Sequence, residues 1–141
     1  MTRTFFTDRD LGKTFPTILA DAGLHVERHA DHFPADCPDE HWLQEVGKRR
    51  WIAVTHDQRI RYKPNELNAV IRHDVALLVV VGKTRFADLA ENFVATLPKI
   101  DAFLDRHRPP LIGKVHQPPG RERSLHRNKA GSIVLWYPQP E

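Results

Sequence analysis

Three acidic residues stand where an α/β chain brings side chains to one place. Asp8 directly follows the short run Thr4-Phe5-Phe6-Thr7, Asp39 follows Pro38 at the start of a helical pattern, and Asp57 lies two residues beyond Thr55, the end of Trp51-Ile52-Ala53-Val54-Thr55. In an open α/β sheet, ligands bind in the crevice outside the carboxyl ends of the strands. The N-terminus of a helix favours an ionised carboxylate. All three acids therefore have reason to face one crevice, where their mutual repulsion calls for a cation. Donors that are all oxygen select a hard metal such as Mg²⁺ or Mn²⁺. A metal held in this way activates water and neutralises charge on the phosphate during phosphodiester cleavage. Each acid also has a plain structural use: Asp39 starts a helix, Asp57 caps a turn and Asp8 opens a loop. Spacing alone leaves both readings open.

The elements that would position these acids follow from periodicity. Thr4 to Thr7 reads as a first strand, and Leu11, Phe15, Leu19 and Ala22 form a helical stripe closed by Gly23. Leu24 to Glu27 reads as a second strand, with an irregular polar stretch from Arg28 to Asp36 after it. Pro38 opens a helix with Trp42, Leu43 and Val46 on its apolar face, ended by Gly47. Trp51 to Thr55 is the next strand, and Pro64 to His73 a helix burying Leu67, Val70 and Ile71. The unbroken apolar run Val75 to Val81 is the mark of a strand covered on both faces in a parallel sheet. Phe86, Leu89, Ala90, Phe93, Leu97, Ile100 and Leu104 line one face of a long helix with a kink expected at Pro98. Strands alternating with helices predict an α/β domain, a mainly parallel sheet between two helix layers. From Pro109 the texture changes. Leu111 to Val115 and Ser132 to Tyr137 read as two strands of a hairpin-like C-terminal arm around a mobile loop, Pro118 to Lys129. The expected division is residues 1–108 for the α/β domain and residues 109–141 for the basic arm packed on it.

A chain of 141 residues suits one domain with a real core, and 40% hydrophobic against 28% charged residues places it among ordinary soluble proteins. The single cysteine, Cys37, excludes an internal disulfide and suits a reducing cytoplasm. Neither the opening residues nor the run Val75 to Val81 has the length of a signal peptide or a membrane span. Charge is uneven. Residues 1–105 carry fourteen Lys and Arg against sixteen Asp and Glu, whereas residues 106–141 carry seven against two. A basic end suits a polyanionic partner, although such ends are often only solvated.

The segments Phe5-Phe6-Thr7-Asp8, Pro38-Asp39-Glu40-His41-Trp42 and Trp51-Ile52-Ala53-Val54-Thr55-His56-Asp57 together resemble the PIN-like families, including the VapC-type toxins of bacterial toxin–antitoxin pairs. The run Gln58-Arg59-Ile60-Arg61-Tyr62-Lys63-Pro64-Asn65-Glu66 is similar to the same group, and the resemblance spans roughly residues 4–105. It implies a three-layer PIN-like domain and a Mg²⁺- or Mn²⁺-dependent endoribonuclease leaving 3′-hydroxyl and 5′-phosphate ends. It also implies an RNA substrate, a cognate antitoxin and a homodimer. Asp8, Asp39 and Asp57 match the metal-binding acids of those families, with Glu40 competing for the place of Asp39. Thr55 matches a hydroxyl that orients a carboxylate or water. A further late acid common in VapC-type domains has no clear match, which leaves Asp10 and Glu66 as alternatives and the number of metals open.

Other residues carry weaker signals. Gly12-Lys13-Thr14 and Gly82-Lys83-Thr84 lack the leading glycine of a phosphate-binding loop. His25, His29, His32, Cys37 and His41 are too irregularly spaced for zinc and read as surface residues. His56 lies near the acids with only its location in favour of acid–base work. Lys48, Arg49 and Arg50 suit a helix C-terminus. Arg59, Arg61 and Lys63 border the crevice and are candidates to guide an RNA backbone. Arg121, Arg123, Arg127 and Lys129 are candidates to meet RNA or a partner, while Trp136 and Tyr137 are expected to pack the arm down. Two rival functions remain: a phosphoacceptor receiver domain, in which Asp39 and Glu40 have no role, and a non-catalytic PIN-like binding module.

Overall fold

Two neighbouring phenylalanines on the first strand, β1 (Thr4–Thr7), point to opposite faces of the sheet, and each seeds one half of the core. In the computed structural model, which describes residues 2–119 and 129–138, Phe5 meets the ring of Phe93 edge-on at 5.5 Å between centroids. Phe6 stacks on Trp42 at 5.4 Å and on Trp51 at 6.0 Å. The same alternation continues on β3 (Ile52–Thr55), where Val54 joins the Phe5 side and Ala53 the Phe6 side.

The chain runs β1, α1 (Thr14–Asp21), β2 (His25–Arg28), a single helical turn α2 (His29–His32), α3 (Asp39–Arg49), β3, α4 (Pro64–Arg72), β4 (Ala76–Val80), α5 (Phe86–Arg106), β5 (Leu111–His116) and β6 (Ser132–Tyr137). The strands form one sheet in the order β2-β1-β3-β4-β5-β6, parallel throughout except for the last pair. Helices α1 and α5 cover one face, and α3 and α4 the other, giving three layers. β4 lies between two parallel neighbours and every residue in it is buried, so its continuous apolar sequence is what two covered faces require. Each fully buried Leu or Val there contributes roughly 1.5–3 kcal/mol from burial. Among the described residues, no helix is long and apolar enough to cross a membrane.

Several expectations need correction. The segment Arg28 to Asp36 is not wholly irregular, since it holds the turn α2. The expected helix from Leu11 begins only at Thr14, because a 3₁₀ turn, Arg9–Leu11, takes the preceding residues. Gly47 does not end α3. The helix continues to Arg49 and closes on Arg50, which adopts a left-handed φ of 58°. Glycine is required at position 47 for a different reason: a Cβ there would lie 2.3 Å from the carbonyl oxygen of His73, where α3 meets the end of α4. Ile71 is 38% exposed, on the outer side of α4, so Val70 and Ala69 carry the contact instead. The stripe from Phe86 to Leu104 does lie on one helix, α5, with Pro98 inside it.

The residues expected to form an arm divide between two roles. β5 is an internal strand of the main sheet, paired in parallel with β4 from Leu111 to Val115, and only β6 is an antiparallel edge. Position 113 admits glycine because a Cβ would press on Leu78 and Phe103 at 3.2 Å. The return into β6 is pinned where Gly131 N–H donates to the Thr96 hydroxyl at 2.9 Å and Lys99 Nζ donates to Gly131 O at 2.8 Å. Arg121, Arg123 and Arg127, with most of the loop expected to be mobile, lie outside the described residues.

Candidate active site

The strand order β2-β1-β3-β4-β5 reverses direction between β1 and β3, and the crevice beyond the carboxyl ends of these two strands is where such a sheet binds ligands. Asp8 leaves β1 with its backbone N–H held by Val54 O at 2.9 Å, so the two strand ends stay together. Its side chain caps the 3₁₀ turn, accepting from Arg9 N–H at 2.7 Å. That turn delivers Asp10 back towards β3. The crevice that results is open, about 550 Å³, and is lined by Asp8, Asp10, Asp39 and Asp57 together with Arg9, His56, Gln58 and Arg59.

Thr55, fully buried at the end of β3, sits between two of these acids. Its hydroxyl lies 2.9 Å from Asp8 Oδ2 and 3.1 Å from Asp10 Oδ2. The hydroxyl has one proton and cannot satisfy both carboxylates at once. The same oxygen accepts Asp57 N–H at 3.2 Å, and His56 N–H donates to both oxygens of Asp10 at 3.2 and 3.1 Å. Burial, reinforced by the charge of Asp10 and more weakly of Asp39, raises the pKa of Asp8 to about 7, against the opposing pull of Thr55 and Arg9 N–H. Burial likewise raises Asp10, with His56 N–H and Thr55 opposing. These two carboxyls are a pair short of positive charge.

The other two acids are held by other partners. Asp39 Oδ1 accepts the indole N–H of Trp42 at 2.9 Å, so a fully buried tryptophan fixes the first turn of α3 at the crevice. Asp57 accepts Arg59 N–H at 2.9 Å and the Lys63 ammonium at 2.7 Å. Burial alone would raise Asp57, but Lys63 and Arg59 more than offset it and hold the carboxyl below its usual range. Lys63 is raised in turn by its bond to Asp57 and by the charges of Asp57, Asp39 and Glu66. Among the described residues, no group of three His, Cys, Asp or Glu side chains is arranged to hold a metal ion. The fit to a hard divalent cation is therefore one of donor chemistry: Asp8 and Asp10 supply all-oxygen donors with uncompensated charge, and Asp39 and Asp57 border the same space.

Placement separates the remaining candidates. Glu40 faces a second cleft with Gln44, Asn65 and Arg72 rather than the acids. Glu66 stands in the first turn of α4, where its charge reaches Lys63, and does not line the crevice. Arg59 lines the crevice with its side chain 84% exposed, Lys63 is committed to Asp57, and Arg61 points away to donate to Trp136 O at 3.1 Å. His56 donates its Nδ1–H to Val80 O at 2.8 Å while lining the crevice. His29 is not on the surface. It is 3% exposed, accepts Arg9 Nε–H on Nδ1 at 2.9 Å and packs among Phe6, Phe33 and Trp42. Burial, with Arg9 beside it, lowers its pKa, so it is a neutral prop that anchors the arginine next to Asp8. The pairing of Asp10 with Asp8 had a signal in the sequence, the Asp-x-Asp spacing beyond a strand; the roles of Trp42 and His29 had none.

The model of a family described as a PIN like domain matches residues 3–82, more than half of the chain and every residue lining the crevice. No curated protein and no solved structure matches the chain.

Proposed function

We propose that this chain, which belongs to the PIN-like domain family, is a metal-dependent endoribonuclease whose Mg²⁺ or Mn²⁺ is held chiefly by Asp8 and Asp10. The observation that carries this reading is the pair of carboxyls, a half-buried Asp8 and a more exposed Asp10, sharing one hydroxyl at the switch point of the sheet, with Asp8 raised to about 7. Such a pair is stable at neutral pH with a proton or a cation between its members, and a crevice open to solvent admits the cation. A bound divalent metal supplies an activated water and neutralises charge on the phosphodiester. The chain's own groups do the rest. Thr55 fixes the two carboxyls relative to each other, Trp42 holds Asp39 at the rim, and the exposed guanidinium of Arg59 is placed to meet a phosphate. Lys63 keeps Asp57 neutralised until another cation enters.

The narrower reading is the toxin half of a toxin–antitoxin pair, acting in the cytoplasm, bound by a cognate antitoxin and assembled as a homodimer. It rests on the likeness of residues 4–105 to VapC-type domains. The expected result is cleavage of single-stranded RNA with Mg²⁺ or Mn²⁺, none in excess chelator, and fragments with 5′-phosphate ends. Cleavage that persists in chelator, or none with either metal, overturns the reading.

A further inference from the structure

The outer half of the sheet carries a surface that the crevice chemistry does not use. On the side of α3 and α4, the 3₁₀ turn Ile60–Tyr62 reaches across to β6 and lays Tyr62 edge-on against Trp136 at 5.7 Å between ring centroids. Tyr62 is 67% exposed and Val134 on β6 is 46% exposed, so this part of the sheet face lies open. Two cations are set against the rings. Lys114 Nζ sits 3.9 Å from the Trp136 ring centroid, and the Arg61 guanidinium lies 5.4, 5.8 and 5.7 Å from the rings of Tyr62, Trp136 and Tyr137. Residues 58–63, 111–119 and 129–138, which build this face, contain no Asp or Glu. The turn that carries Arg61 and Tyr62 begins directly after Asp57 and Arg59, which line the crevice.

We infer that this face binds single-stranded RNA, with bases stacking on Tyr62 and Trp136 and phosphates meeting Lys114 and Arg61. An exposed tyrosine beside a half-buried tryptophan, both flanked by cations on an open sheet face, suits an unpaired strand, because every base offers a flat apolar face and every linkage one negative charge. A duplex keeps its bases stacked on each other and gains only the phosphate contacts. A protein partner would use the rings but has no need of a face free of acids. The face and the crevice share one chain segment, since Gln58 and Arg59 line the crevice and Arg61 and Tyr62 build the face. The inference rests on the ribonuclease reading for its purpose but not for its test.

Binding is measured with the full chain and a fluorescent oligouridylate in chelator, where no metal-dependent cleavage can occur. Tyr62→Ala and Lys114→Ala should each weaken binding about tenfold, the scale of one lost stacking partner or phosphate contact. Lys114→Ala should also flatten the dependence on salt by roughly 0.7 in the log–log slope. The oligouridylate should quench tryptophan fluorescence in the native chain, and Trp136→Phe should keep binding but lose most of the quench. Tyr62 is exposed, so its variant folds. Native affinity in both Tyr62→Ala and Lys114→Ala, or equal binding of a duplex of the same length, overturns the inference. So does a change in sedimentation with no change in RNA affinity, which marks the face as a contact between copies. Tight binding in chelator without cleavage in Mg²⁺ or Mn²⁺ overturns the ribonuclease reading alone.

Discussion

Replacing Asp8 by Asn should reduce RNA cleavage about 100-fold or more while making the metal-free protein more stable at neutral pH. Removing one donor of a metal costs at least what removing its supporting groups costs. The gain in stability comes from the charge balance around Thr55. An asparagine side chain in this place keeps an oxygen for Arg9 N–H and turns its amide towards the Thr55 oxygen, which releases the single hydroxyl proton to Asp10. The pH dependence follows with a definite sign. Asp8 has a folded pKa of about 7 against a reference of 3.8, so the folded protein holds a proton that the unfolded chain has lost. The stability from that proton is complete below pH 3.8 and is lost as pH rises through about 7. The metal-free native protein should therefore lose on the order of 3 kcal/mol across that window from this group, and Asp8→Asn should not. Denaturant midpoints at several pH values read the difference. A native midpoint that rises from pH 4 to pH 8 as steeply as that of the variant contradicts it.

The second large effect concerns Asp10. Asp10→Asn should lower cleavage about 100-fold, close to the loss at Asp8, while Glu40→Gln and Glu66→Gln stay within about threefold of the native rate. Asp10 shares the Thr55 hydroxyl with Asp8, whereas Glu40 opens onto a different cleft and Glu66 does not line the crevice. Cleavage rates measured at saturating Mg²⁺ and again at limiting Mg²⁺ separate lost metal affinity from lost chemistry. If Glu66→Gln were crippled and Asp10→Asn were not, the assignment of the fourth acid would be reversed.

Much of the fold was legible because burial writes itself into periodicity. The unbroken run of β4 announced a strand with two covered faces. The place of β5 was hidden, since its parallel partner β4 lies across the whole of α5 and the residues near it look like a hairpin. Gly47 was misread because a glycine needed for close packing of α3 against His73 has the same letter as one that ends a helix. At the site, spacing brought Asp8, Asp39 and Asp57 to one crevice lining, but it could not show who neutralises whom. That Lys63 satisfies Asp57 while Asp8 and Asp10 compete for one proton depends on side-chain direction after a 3₁₀ turn. Arg61 looked like its neighbours Arg59 and Lys63, yet the turn sends it to Trp136 and away from the acids.

The most direct measurement of the central claim is Mn²⁺ binding by calorimetry, without RNA, to the native chain and to Asp8→Asn/Asp10→Asn. The native chain should bind Mn²⁺ saturably, more strongly at pH 8 than at pH 6 because Asp8 must give up its proton to take the metal. The double variant should remain folded and lose that binding. Equal Mn²⁺ affinity in the two proteins would contradict that claim.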